Sequence, residues 1–249
     1  MSTEFFTRNK RLMDALLEFA PEDSQLLNIP LFSSAVDPFV LCLLGSDRGF
    51  HGVMLLGFMQ SINLVLAKIL AAHKYIHDGK DTPEDIPQPQ SDMMVYLKHL
   101  AISEYHNSIT VFFLKLRLLV DELLRIVTDN TCDCIGKFLG RFDKKFEEVK
   151  PFLVALNASA NYIKHDEEFL VNHLSEIPIL SPSLKIKVIN ARTGASKRDF
   201  KDVKDNCTDK IVTLSPDESQ IILDFPLSFF VENFNKFKEL FEQKIKESR

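Results

Sequence analysis

The chain has no tryptophan, and only four cysteines and eight glycines among its 249 residues. The scarcities of cysteine and glycine each remove a class of protein. The thiols of Cys42, Cys132, Cys134 and Cys207 fit neither a paired C-x-x-C zinc site nor a small disulfide framework. Cys132-Asp133-Cys134 reads as an incidental pair in a loop between helices. Glycine never gathers into a phosphate-cradling loop, and neither Gly-x-Ser-x-Gly nor a dinucleotide fingerprint occurs. Met1 to Arg11 is polar and mixed, unlike a secretory leader, so a cytoplasmic protein with reduced thiols is expected.

Long unbroken hydrophobic runs are missing too. Gln60, Ser61, Asn63 and Lys68 interrupt the apolar stretch from Gly52 to Ala72, and five charged residues interrupt Leu114 to Val127. Unpaired charge near a bilayer centre is expensive, so both stretches are expected to be core helices of a soluble bundle with no membrane partner. The net charge of −5 argues against a broad grip on nucleic-acid backbone, although a local basic patch fits within an acidic total.

What is present is ordinary globular composition, 45% hydrophobic and with 21 phenylalanines, in a chain long enough to bury a core without metals or disulfides. The spacing predicts a helix from Thr3 to about Phe19, then short helices and turns over Asp23 to Gly52. A long helix over about Phe50 to Ile76 follows, ending at Asp78-Gly79. Beyond a loop with three prolines, Ser91 caps a helical pattern reaching Val127, with a break expected near Ser103. Another helix is expected from the loop at Thr128 to Asp133 as far as Lys150, where Pro151 kinks or restarts it. After Leu174 the pattern changes. Leu184, Ile186 and Val188 alternate with lysines, Ile211 to Leu214 and Ile221 to Phe225 read as strands, and a polar loop is expected over Thr193 to Asp209. A closing helix from Pro226 to about Glu247 presents Phe230, Phe234, Phe237, Phe241 and Ile245 on one stripe. The expected fold is mainly α: a helical bundle over 1–178 with a small strand-and-helix appendage over 179–249.

At 100° per residue from Pro151, Phe152, Leu153, Leu156, Ala160, Ile163, Leu170 and Leu174 fall on one side of a helix. Asn157, Asn161, Lys164, His165, Glu168 and Asn172 fall on the other, as on a surface helix. Asparagine is a poor choice for a plain solvent face, where Glu, Lys and Arg form helix better. On the helix expected to end at Val127, Arg117, Asp121 and Arg125 stand four apart among Leu, Val and Phe. They form a ladder on an exposed edge or, if the helix is central, must be paired or face a cavity. His73 and His77 share one helix end but lack a third ligand, so no bound metal is expected.

Asn161-Tyr162-Ile163-Lys164-His165 resembles the motif helix of the HEPN superfamily of prokaryotic RNases and nucleotide-handling proteins, and the layout resembles HEPN-like families over about 100–174, within an expected HEPN-like core of about 91–178. The family motif is an Arg, a polar residue, a short spacer and a His. Asn161 and His165 match the polar residue and the His, while Ala160 or Ser159 stands where the Arg belongs. In an RNA-cleaving member the His assists proton transfer and the Arg steadies the phosphate. The resemblance therefore implies an RNA- or nucleotide-binding protein of a prokaryotic defence or toxin–antitoxin-like system with weak or no ribonuclease activity and no cofactor. Its site would comprise His165, Asn161 and Lys164, supported by Arg117, Asp121, Asn157 and Glu168, with Arg117 supplying in space the missing cation. It also implies a homodimer with Asn157, Asn161, His165 and Glu168 at the seam. The competing expectation is a non-enzymatic protein whose closing helix or strand edge contacts a protein partner.

Overall fold

Residues 55, 59, 62, 66, 69, 73 and 76 are buried, and so are 105, 109, 112, 116, 119, 123 and 126. Both series step alternately by four and three, the spacing that keeps one stripe of a helix against a partner helix. They belong to α1 (Gly49–Asp78) and α2 (Gln88–Val127), which pack along each other as an extended hairpin. The computed structural model describes residues 49–78, 88–128, 131–141, 144–165, 183–189 and 195–247. The helix expected over Thr3 to Phe19 and the turns expected up to residue 48 lie outside the described residues.

The helix α2 begins at Gln88, earlier than the expected cap at Ser91, and runs unbroken through Ser103. Serine there costs a few tenths of a kcal/mol in propensity, and the burial of Tyr105 and Ile109 immediately after it outweighs that loss. Thr128 closes the helix, its hydroxyl donating to the Leu124 carbonyl at 2.8 Å and accepting from the Cys132 N–H at 2.9 Å.

Where one helix to Lys150 was expected, two short pieces occur instead: α3 (Ile135–Gly140) and a 3₁₀ turn, η1 (Lys144–Val149). The helix α3 stops at Gly140, and η1 tucks Phe146 and Val149 into the core at a tighter pitch. The helix α4 (Lys150–His165) then starts with Pro151 in its first turn, where a missing N–H costs nothing. Every residue from Phe152 to Ala160 is buried. The expectation of a surface helix is thus corrected: α2, α3, η1 and later elements surround α4.

The predicted strands form one antiparallel sheet in the order β1 (Ser183–Ile189), β3 (Gln220–Pro226), β2 (Ile211–Leu214). Leu184, Ile186 and Val188 stand opposite Phe225, Leu223 and Ile221, and all six are buried. This is the inward half of a period-two pattern. The polar loop expected over Thr193 to Asp209 is corrected, since it contains α5 (Ala195–Asn206) and a short 3₁₀ turn, η2 (Thr208–Lys210). Phe200 and Val203 anchor α5 in the core, three residues apart, with Cys207 buried just beyond.

The closing helix α6 (Leu227–Glu247) docks on the sheet and the helices together. Phe230 meets Phe225 of β3, Phe152 of α4 and Phe113 of α2 at ring-centroid distances of 5.3, 6.3 and 4.6 Å. One continuous apolar cluster runs from α1 through the sheet to α6. Each of its fully buried phenylalanines contributes roughly 1.5–3 kcal/mol. Phe50–Ile76 within α1 is long and apolar enough, by length and composition, to cross a membrane. One side of it is packed on α2, and Lys68 within it pairs with Glu104 at 2.9 Å.

Candidate functional site

The helix α4 packs on both α2 and α5, and its Asn161 reaches a side chain of each. Arg117 donates from Nη1 to Asn161 Oδ1 at 2.5 Å, which joins residues 44 apart in sequence. Its Nε lies 3.6 Å from Asp121 Oδ2, one helical turn on. Both Arg117 and Asp121 are largely covered, each side chain being 14% exposed. The other oxygen of Asp121 accepts the N–H of Ile135 at 2.8 Å. Cys134 offers no side-chain cap to α3, so Asp121 satisfies the first turn of that helix from a different helix.

On the far side of α4, Asn161 donates to Asp199 Oδ2 at 2.9 Å and Asn157 donates to Asp199 Oδ1 at 3.1 Å. Asp199 of α5 is only 6% exposed and Asn157 only 7%. The three chain segments therefore meet in a connected chain of polar groups, Asp121–Arg117–Asn161–Asp199–Asn157. Two carboxylates share this cluster with one guanidinium, so it is not a free basic pocket. A buried carboxylate that accepts from two amides is the arrangement that makes its burial tolerable.

Four residues named from the sequence, Arg117, Asp121, Asn157 and Asn161, are thus brought together. The backbone of α4 carries Lys164 and His165 into its last turn, His165 one turn after Asn161. The side chains of Lys164 and His165 lie outside the described residues, as does all of Glu168. The expected dimer seam is altered in one respect: Asn157 and Asn161 face α5 of their own chain, so their amides are already engaged. The expected ladder of Arg117, Asp121 and Arg125 divides in two. Arg125 turns to Glu122 at 3.2 Å, while Asp121 stays with Arg117.

One member, Asp199, was not found from the sequence. Asp199 is one of three aspartates in Arg198-Asp199-Phe200-Lys201-Asp202-Val203-Lys204-Asp205, and only its position next to buried Phe200 marks it. Apart from this cluster, His51 places Nδ1 2.5 Å from Oε1 of the buried Glu122. That contact clasps the first turns of α1 to the last turns of α2. The buried ring of His73 lies against Tyr105 with centroids 6.0 Å apart. Among the described residues no group of three or more His, Cys, Asp or Glu side chains could hold a metal ion. Burial raises the thiol of Cys132 above its ordinary value, and the Cys134 carbonyl 3.8 Å away opposes the shift.

Chemically, the cluster fixes α2, α4 and α5 against one another and brings a guanidinium beside the helix that ends in Lys164-His165. No protein-family model, no curated protein and no solved structure matches the chain.

Proposed function

We propose that this is a HEPN-like RNA- or nucleotide-binding protein of a prokaryotic defence or toxin–antitoxin-like system, with weak or no ribonuclease activity, acting in the cytoplasm as a homodimer. The observation that carries the reading is the hydrogen bond from Arg117 to Asn161. It sets a cation beside the motif helix, one turn before His165, where the sequence itself has Ala160 in place of the family's Arg. The same geometry argues for binding over cleavage. Arg117 is held by Asn161 and Asp121, so it is not free to follow charge developing on a phosphate, and Lys164 offers a point charge without the planar fork of an Arg.

The test is equilibrium binding of a labelled single-stranded RNA and of nucleotides at low salt, by fluorescence anisotropy, with intact RNA recovered afterwards. Binding that falls at least about tenfold in His165→Ala supports the reading. Absence of binding, or affinity unchanged by the substitution, removes it. A second reading, a non-enzymatic protein–protein interaction module, is favoured by the exposed apolar side chains of Phe50, Val53 and Leu64 on α1 and of Val111 and Leu118 on α2.

A further inference from the structure

Asn161 lies between a group that can only donate and a group that can only accept. A guanidinium has no acceptor, and an ionised carboxylate has no donor. Contact with Arg117 on one side and Asp199 on the other therefore leaves one orientation of the amide, with Oδ1 toward Arg117 and Nδ2 toward Asp199. Asn157 is oriented by the same carboxylate, since it too must present its NH₂ to Asp199. The directions in the chain are thus fixed from both ends, by a guanidinium that only donates and by a carboxylate on α5 that only accepts.

We propose that Asp199 is a positioning residue: by accepting from the Asn161 NH₂ it braces the orientation in which Oδ1 faces Arg117, and so holds the guanidinium against α4. This role goes beyond the binding reading and stands without it. It links the C-terminal strand-and-helix region to the α2–α4 contact through a single carboxylate. Phe200 and Val203, buried next to Asp199, keep α5 from sliding and so keep that carboxylate in place.

Asp199→Asn removes the polarity while keeping the shape. The new amide has one acceptor oxygen for two incoming NH₂ groups, so either Asn157 or Asn161 loses its partner. If Asn161 turns over to compensate, its NH₂ faces the N–H groups of Arg117. In the double variant Asp199→Asn with Asn161→Asp the chain closes again. The amide at 199 accepts from Asn157 and donates to the carboxylate at 161, whose other oxygen accepts from Arg117. Net charge and heavy-atom count match the natural chain.

The experiment is NMR on the full chain, reading rotation of the Arg117 guanidinium and hydrogen exchange of the Asn157 side-chain amide, two reporters present in all three proteins. In Asp199→Asn, Asn161 is braced by a weaker neutral acceptor or by none, so guanidinium rotation should speed up by roughly tenfold or more. The double variant should return the Asn157 amide to its natural exchange and hold Arg117 at least as firmly as the natural chain does, since its partner at 161 is then a carboxylate. If the single variant fails to fold, a folded double variant whose Asn157 amide exchanges at the natural rate still supports the assignment. Unchanged rotation in Asp199→Asn overturns it. So does a double variant that restores neither folding nor the natural exchange of the Asn157 amide, since Asp199 would then act through charge or packing at its own position alone.

Discussion

Phe113 on α2 and Phe230 on α6 meet edge to face, their ring planes at 87° and their centroids 4.6 Å apart. Both side chains are fully buried, and the contact joins the long hairpin to the C-terminal helix. Truncating either ring removes buried area and leaves a cavity that the surrounding aromatics cannot fill. Phe230→Ala is expected to cost about 3–5 kcal/mol. Because Phe230 also touches Phe152 and Phe225, chemical denaturation followed separately through helix and sheet signals should lose both together. Sheet signals that melt early while the helices persist would show that the contact does not couple the two parts.

Glu122 is expected to respond differently to its two simplest substitutions. Its carboxylate meets His51 through one oxygen and Arg125 through the other. Glu122→Ala strands both partners and should destabilise by about 1–3 kcal/mol in urea unfolding. Glu122→Gln should cost much less, because the amide oxygen can still accept from Arg125 while its NH₂ donates to the other tautomer of His51. Equal losses for the two variants would mean that shape, and not hydrogen bonding, matters at this site.

Cys207 gives a pH dependence with a definite sign. Its Sγ lies 3.6 Å from the Pro151 carbonyl at the start of α4. Burial first, and the charge of Asp209 second, push the thiol up from 9.0 to about 12. The folded protein holds this proton more tightly than the unfolded chain does. The contribution is therefore intact below the unfolded value and is lost as pH rises through the folded one. Stability at about pH 10.5 relative to about pH 8 should fall more steeply in the natural protein than in Cys207→Ala. Identical slopes would contradict the assignment.

How far the sequence could be read follows from the same residues. The hairpin was legible because its buried positions repeat at helical spacing, and the strands because Leu184, Ile186 and Val188 alternate with lysines. The helix α5 was not, since Phe200 and Val203 are the only buried apolar side chains described among its charged residues, too few for periodicity to register. A similar limit applies at the polar cluster. Arg117 and Asp121 on an apolar helix needed partners if that helix was central, but only the family resemblance set Arg117 beside Asn161. Nothing local distinguishes Asp199 from Asp202 or Asp205, because only tertiary packing decides which aspartate turns inward. Burial on all sides of α4 was hidden for a related reason: its apolar stripe is that of a surface helix, and its Asn157 and Asn161 are covered by partners that sequence spacing does not reveal.

The most direct measurement of the proposed function is the salt dependence of RNA binding in the natural protein, Lys164→Ala and His165→Ala, with the RNA sized after incubation. Recovered RNA should be full length. The natural protein should bind at low salt, with Lys164→Ala reducing the slope of log affinity against log salt by about one phosphate contact. His165→Ala should weaken binding at least about tenfold. No binding at low salt, or affinity and slope unchanged in both variants, would contradict a nucleic-acid role for the end of α4, and rapid cleavage abolished by His165→Ala would contradict the assignment of binding without catalysis.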